Sequence, residues 1–499
     1  MKKIFIVFAL MAALFASCSK DALETRPTDA VTGDGIMSTA TSALTALNGT
    51  YRLMFEWGQT TTGNYHQEVG IMGYALMADL MGEDMVMAKQ GNGWFWFDYI
   101  YSVKSRFTAS TWRPYGLWNY YYTVISNVNY IISAYEKDEM GGTDSDKNYV
   151  VGQAYAIRAY CYHNLAIMFA RTYVGHQSEK CAPIYTEPSA AGTQGQPRAT
   201  VAEVYARATE DIVKAVNMLG ETHAQTDKSH IDVNVAMGIM ARILSYTAQT
   251  TSEWEAIATL CKEARKNYAV IKYDNVCNGF NSVSLTSVMW GFLTIQDQTT
   301  TNPQFMVHMD YYWGGYGKAA PKCCSAWLYD RIGGTDARRA WWNEAGVDGF
   351  ALLQEKFLFD VSKDKTTSNY VNSICDRIYM RSEEMILLQA EAECRAGRDA
   401  DAQATLGELM AERNKSWSCS KTGTAMGALT TDETGSLLEE IILQRRIELW
   451  GEYGRVYDIK RLKQGFVRTL AMGHPQEGIS PLASLKCNNP ETYDWVMTI

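Results

Sequence analysis

Residues 152–169 read GQAYAIRAYCYHNLAIMF. Ala154, Ile157, Ala159, Leu165 and Ala166 recur at helical spacing, and this apolar, alanine-rich face lets a second helix approach closely. The pattern predicts a long helix over 149–171. A helix of the same kind precedes it over 115–135, where Val124, Ile125, Val128, Ile131 and Ile132 make one apolar face and Gly141-Gly142 closes the segment. After a loop rich in Pro, Gly and Ser (175–197), Thr200 reads as an N-cap with Glu203 three residues on, a capping box that opens the next helix. Helical periodicity continues over 201–219, 232–249, 253–268, 377–396, 399–415 and 435–450, and a shorter helix is predicted over 42–54.

Paired helices with short turns suggest a helical-repeat scaffold, although the spacing is too irregular for a clean 34-residue period. Two regions break the pattern. Residues 57–113 are rich in Gly, Met and aromatics, and 270–375 carry Gly279, Gly291, Gly314, Gly315, Gly317, Gly333 and Gly334 among many rings. Irregular stretches longer than about 12–15 residues are usually functional when ordered. The expected fold class is therefore mostly all-α, with a large irregular, loop-rich half.

The N-terminus reads as an export signal. Lys2 and Lys3 precede an apolar run, 4–15, then small residues Ala16 and Ser17 and a lone Cys18. That run is shorter than the roughly 20 residues a membrane span needs. Cysteine directly after a cleavage site is the pattern of a bacterial lipoprotein, so 1–17 are expected to be a signal peptide and Cys18 the lipidated residue. Polar residues 19–35 read as a tether. A formal charge of −9 and the lack of a basic stripe argue against nucleic acid. The other ten cysteines include no C-x-x-C pair, and the adjacent Cys323 and Cys324 leave disulfide connectivity open.

Five segments in order resemble the SusD/RagB family of outer-membrane nutrient-binding lipoproteins. They are 117–134 (LWNYYYTVISNVNYIISA), 152–169, 198–219, 377–397 (RIYMRSEEMILLQAEAECRAG) and 444–461 (QRRIELWGEYGRVYDIKR). The resemblance implies tetratricopeptide-like helix pairs supporting an irregular half, with 18–35 as a lipidated tether and 36–499 as one ligand-binding domain. It also implies a protein anchored at the cell surface that caps a SusC-like TonB-dependent transporter. Such a protein presents captured oligosaccharide, or sometimes peptide, for import, with no catalytic role and no cofactor.

Candidate contacts fall in the irregular regions. The run Trp94, Phe95, Trp96, Phe97, Tyr99, Tyr101 follows a Gly91-Asn92-Gly93 turn, and in an extended chain Trp94 and Trp96 would share a side. Tyr311, Tyr312, Trp313 and Tyr316 surround two glycines. Flat rings suit the apolar C–H faces of pyranoses, and nearby Asn92, Asp79 and Asp84 suit hydroxyls. A glycosidase would need two carboxylates about 5–5.5 or 6.5–9.5 Å apart. Asp79 and Asp84 are the pair such an alternative would use. Arg445, Arg446, Glu448, Glu452, Arg455, Asp458 and Arg461 read as structural ion pairs, with Glu452 and Arg455 three apart. Glu383, Glu384, Glu391 and Glu393 read the same way. The seven histidines show no zinc-binding spacing, so no metal is expected.

Overall fold

The computed structural model describes residues 33–56, 65–102, 111–189, 192–220, 227–295, 304–362, 374–489 and 497. The expected signal peptide 1–17, Cys18 and most of the tether lie outside the described residues. So do 57–64, 103–110, 296–303 and 363–373 of the two irregular regions.

Of the described residues, 52% are helix and 7% strand, which makes the fold mostly all-α. The longer elements, in order, are α1 (Ala40–Phe55), α2 (Gly70–Met81), β1 (Met85–Met87), α3 (Trp112–Glu136), α4 (Asp144–Phe169), α5 (Val201–Gly220), α6 (Val233–Thr247), α7 (Thr251–Arg265), β2 (Val288–Phe292), β3 (Lys322–Cys324), β4 (Trp342–Asn343), β5 (Leu353–Gln354), β6 (Arg377–Arg381), α8 (Ser382–Arg395), α9 (Asp399–Met410), α10 (Leu437–Glu448) and α11 (Arg455–Arg461). Local chemistry starts α5 where expected, and α4 five residues earlier than the expected 149. Thr143 accepts from Asp146 N at the head of α4, where Asp144 and Asp146 also face the positive end of the dipole. At α5 the capping box closes both ways: Glu203 N donates to Thr200 Oγ1 at 3.2 Å, and Thr200 N donates to Glu203 Oε2 at 2.7 Å.

From α3 to α9 each helix packs on the next. One guanidinium ties three of them. Arg158 of α4 forks onto Asp211 of α5 with two 2.8 Å bonds and reaches Asn129 of α3 at 2.8 Å. The series runs through α7 directly onto α8, so residues 266–381 form an excursion inserted between neighbouring helices. Strands β3, β5 and β4 of this excursion join β1 in an antiparallel sheet, ordered β1-β3-β5-β4, with Met85 opposite Cys324 and Met87 opposite Lys322. All ten cysteines among the described residues are free thiols, Cys323 and Cys324 included.

Three expectations are corrected. Residues 57–113 are not wholly irregular, because α2 runs through them. Eleven of its twelve residues are buried, so it has no polar face to reveal a helical period. Residues 377–381 are strand, not helix: β6 pairs antiparallel with β2 before α8 begins. Glu452 and Arg455 do not pair, because α10 ends at Glu448 and Gly454, at φ 103°, turns the chain before α11. Arg455 instead meets Glu83 at 2.9 Å and Asp84 at 3.0 Å. Glu452 takes Lys356 at 2.5 Å and Arg381 at 2.6 Å.

The charged C-terminal segment is an interior lattice. Glu448 is fully buried and receives Arg413 at 2.9 Å and Arg338 and Arg381 at 3.3 Å. Arg446 forks onto Asp84 and also meets Glu83 at 3.0 Å. Arg461 joins Glu391 at 2.6 Å, Arg445 joins Asp458 at 2.7 Å, and Arg242 joins Glu384 at 2.5 Å. Glu383 meets Arg413 at 3.0 Å, and Glu393 accepts from Thr405 Oγ1 at 2.7 Å.

Replacing Glu448 by Gln removes the carboxylate that three buried guanidiniums share, leaving Arg338 to Asp336, Arg413 to Glu383 and Arg381 to Glu383 and Glu452, and breaking a buried pair typically costs about 3–5 kcal/mol. The expected outcome is a clear drop in urea midpoint with the slope unchanged. Burial pushes the Glu83 and Glu391 carboxyls up, but neighbouring guanidiniums outweigh it and hold both down at about 2. Those guanidiniums are Arg455 and Arg446 at Glu83, and Arg461 and Arg395 at Glu391. The folded values lie below the ordinary carboxylate value, so the stability these groups contribute is complete above about pH 4.5 and is lost as pH falls towards 2. Acid titration of unfolding followed by circular dichroism checks this.

Candidate ligand site

The site begins with a clamp. Arg113, in the first turn of α3, is buried and forks onto Asp98 at 2.9 and 2.6 Å. It also reaches the Gln67 side chain at 3.3 Å, and Gln67 Oε1 accepts from Phe95 N. These bonds fix the loop that carries Trp94. Phe95 is held at φ 63°, an uncommon conformation for a bulky residue, and a short helical turn, Trp96–Tyr99, follows. The chain therefore does not alternate as a strand. Trp94 stays half-buried at the rim, Phe95 and Trp96 go inside, and Phe97 comes out at 37% exposure.

The second loop is built around Asp310. Its Oδ1 accepts from Tyr312 N at 2.9 Å and Trp313 N at 3.1 Å, and its Oδ2 accepts from Phe359 N at 2.9 Å. The two loops touch. A Cβ on Gly91 would lie 2.5 Å from Ala319 O, so only glycine allows this approach.

Where the loops meet, three rings from distant parts of the chain form a shelf. His66 stacks on Trp94 with centroids 4.6 Å apart and planes 13° from parallel. Tyr316 stands edge-on to both, at 5.6 Å from His66 and 6.1 Å from Trp94, and its hydroxyl shares a hydrogen bond with His66 Nδ1. Burial lowers the His66 pKa, which favours the neutral ring. Behind the shelf His308 stacks on Tyr316 at 4.9 Å and bonds His66 O through Nε2 at 2.7 Å. Beside it, Trp313 packs on Phe359. The Tyr311 hydroxyl donates to exposed Asp348, and the Tyr312 hydroxyl donates to Glu355 at 2.5 Å. Exposed Asn92 and Lys318 complete the rim.

Four of the nine sequence-based candidates stay exposed or half-buried at the rim: Asn92, Trp94, Trp313 and Tyr316. Tyr311 and Tyr312 are buried behind them at 4% and 6% exposure, and three others do not reach the rim at all. Trp96 is 7% exposed and packs inward against Tyr99. Asp84 is 2% exposed and spends both oxygens on Arg446, while Asp79 is 4% exposed and accepts from Arg455 N. Their partners lie 362 and 376 residues away in sequence, so local reading takes them for free carboxylates. Sequence reasoning missed His66. The one signal for His66 is its place in a Gly- and aromatic-rich stretch.

Rings at a loop rim, backed by tyrosines bonded to carboxylates, are carried by a helical-repeat scaffold. Two family models match the chain. A SusD-like model described as starch-binding associating with outer membrane covers residues 72–244, and the SusD family model covers 304–483. The chain belongs to the SusD/RagB family. Members of this family are binding proteins rather than enzymes.

Among solved structures, a SusD-like carbohydrate binding protein from Bacteroides vulgatus has TM-score 0.71 at 26% identity, covering 87% of this chain and 85% of that one. A SusD superfamily protein from Bacteroides thetaiotaomicron has TM-score 0.72 at 19% identity, covering 92% and 96%. One from Bacteroides fragilis has 0.66 at 18%, covering 87% and 92%. These last two likenesses establish the fold. No curated protein sequence matches the chain. Among the described residues, no helix is long and apolar enough to cross a membrane.

Beneath the site, Lys322 of β3 is 1% exposed and its amine has no hydrogen-bond partner among the described residues. Burial pushes its pKa down to about 7. The native state therefore holds fewer protons than the unfolded chain, and this residue's effect on stability improves as pH rises from about 7 to its ordinary value near 10.5. Lys322→Met is expected to raise stability at neutral pH by about 1–3 kcal/mol and to flatten the rise above it. Urea titration at the two ends of that pH window measures both effects.

Proposed function

We propose that this protein is a surface-exposed outer-membrane lipoprotein that binds oligosaccharide on the Trp94–His66–Tyr316 shelf and delivers it to a SusC-like TonB-dependent transporter. The observation that carries the reading is the stack itself. His66, Trp94 and Tyr316 come from separate loops, yet they meet ring to ring at a half-buried rim. Hydrophobic burial alone does not call for such a rim, whereas a pyranose does: it offers an apolar face to the rings and hydroxyls to Asn92, Lys318 and Asp348. The carbohydrate-binding relative from Bacteroides vulgatus supports the ligand class.

Export and anchoring belong to the same proposal. Residues 1–17 act as the signal peptide, Cys18 carries the lipid, and 18–35 tether a single body, 36–499. The family description as associating with the outer membrane supports this placement. Binding without turnover suffices for the role, because the transporter performs the import.

Trp94→Ala and Tyr316→Ala are each expected to weaken glycan binding about tenfold, close to 1.4 kcal/mol, in calorimetry or affinity electrophoresis against a glycan panel. Trp96→Ala is expected to lower stability instead, by about 3–5 kcal/mol, as for other buried large-ring truncations. Binding of peptide with no glycan bound would replace the ligand class. Cys18→Ala is expected to keep ligand binding and abolish capture at the cell surface, read by labelled glycan on intact cells.

A further inference from the structure

The lattice around α10 and α11 leaves hydrogen-bonding capacity unspent at one point. Asp79 of α2 accepts from Arg455 N through Oδ1 at 2.7 Å, while its Oδ2 is buried with no partner among the described residues. Arg445 gives Nε to Asp458 at 2.7 Å, and its Nη1 is buried and unpartnered among the same residues. Arg455 gives Nε and Nη2 to Glu83 at 3.2 and 2.9 Å, and its Nη1 is left in the same state. Asp79, Arg445 and Arg455 are 4%, 3% and 5% exposed.

All three residues line one cavity of about 20 Å³, together with Asp84, Tyr453 and Asp458. A water needs at least about 10–15 Å³ and two to four polar partners, so the space fits one molecule and excludes a larger guest. Polarity narrows the choice further. The two guanidinium nitrogens can only donate, and Asp79 Oδ2 accepts in its ionised form, which a donated hydrogen bond favours. A water takes two hydrogen bonds and gives one, which matches all three atoms. A halide would satisfy the guanidiniums but would face the Asp79 carboxylate. Apart from Asp79 itself, the nearest charges pair off, Glu83 and Asp84 against Arg446 and Arg455, and Asp458 and Glu391 against Arg445 and Arg461, so an anion would add to the Asp79 charge. A neutral guest leaves that balance intact.

We propose that this cavity is the binding site of one structural water that accepts from Arg445 Nη1 and Arg455 Nη1 and donates to Asp79 Oδ2. The water joins α2, in the first irregular region, to the lattice of α10 and α11. Burial pushes the Asp79 carboxyl up to about 8, and a donated hydrogen bond relieves part of that cost. Neither the site nor its occupant depends on which ligand the aromatic shelf takes.

A high-resolution crystal structure of the protein tests the site directly. The expected result is a single density peak within about 3.2 Å of the three atoms, with displacement parameters like theirs. No peak, or Asp79 closing directly onto either guanidinium, would overturn the proposal. A bromide soak distinguishes the alternative, because an anomalous peak there would identify a halide and also overturn it. Magnetic relaxation dispersion gives a second measurement in solution. The wild-type protein should show one more long-lived water than Asp79→Leu, and equal counts from two folded proteins would count against the site. Should Asp79→Leu fail to fold, the crystallographic result decides alone.

Discussion

Glu448 is the charge on which the architecture turns. It sits fully buried at the end of α10 and receives guanidiniums from three places: Arg338 in the excursion, Arg381 in β6 and Arg413 beyond α9. A carboxylate taken out of water is costly unless it is paired and hydrogen-bonded, so these segments hold their positions together or not at all. The neighbouring set of Glu83, Asp84, Arg446 and Arg455 extends the same constraint to β1 and α2. The irregular half is thereby fastened to the helical half by buried electrostatics as well as by apolar packing. The aromatic shelf inherits its rigidity from that fastening.

The helical scaffold was legible because its physics is local. Small residues in 152–169, the Thr200–Glu203 box and the stripe of 115–135 each act within a few turns, and each predicts an element that the structure contains. Helix α2 was not legible, because a helix buried on every side shows no period. Strand β6 was hidden for a different reason. It is five residues long and runs straight into α8, so its pairing with β2, far earlier in the chain, is what separates it from the helix.

The site shows the same division. Residue types pointed to the right two loops, since rings beside glycines are uncommon in a helical core. Individual directions were another matter. A positive φ at Phe95 reverses the alternation that would have paired Trp94 with Trp96, and nothing in the neighbouring residues announces it. The charged candidates failed through distance: a carboxylate looks available until its guanidinium, encoded hundreds of residues later, is brought to it.

The packing of α7 directly on α8 has a consequence for how the chain is assembled in time. Helices α3 to α7 make contacts with sequence neighbours and need little loop closure to form. The excursion between α7 and α8 must then be looped out while its charges wait for partners. Outside the excursion Glu83 and Asp84 wait as well, because Arg446 is synthesised 362 residues after Asp84. A chain that folds in this order consolidates from its repeats first and locks its irregular half last. The same order makes the excursion a natural place for variation, since the helices on either side already touch and its length need not alter their contact.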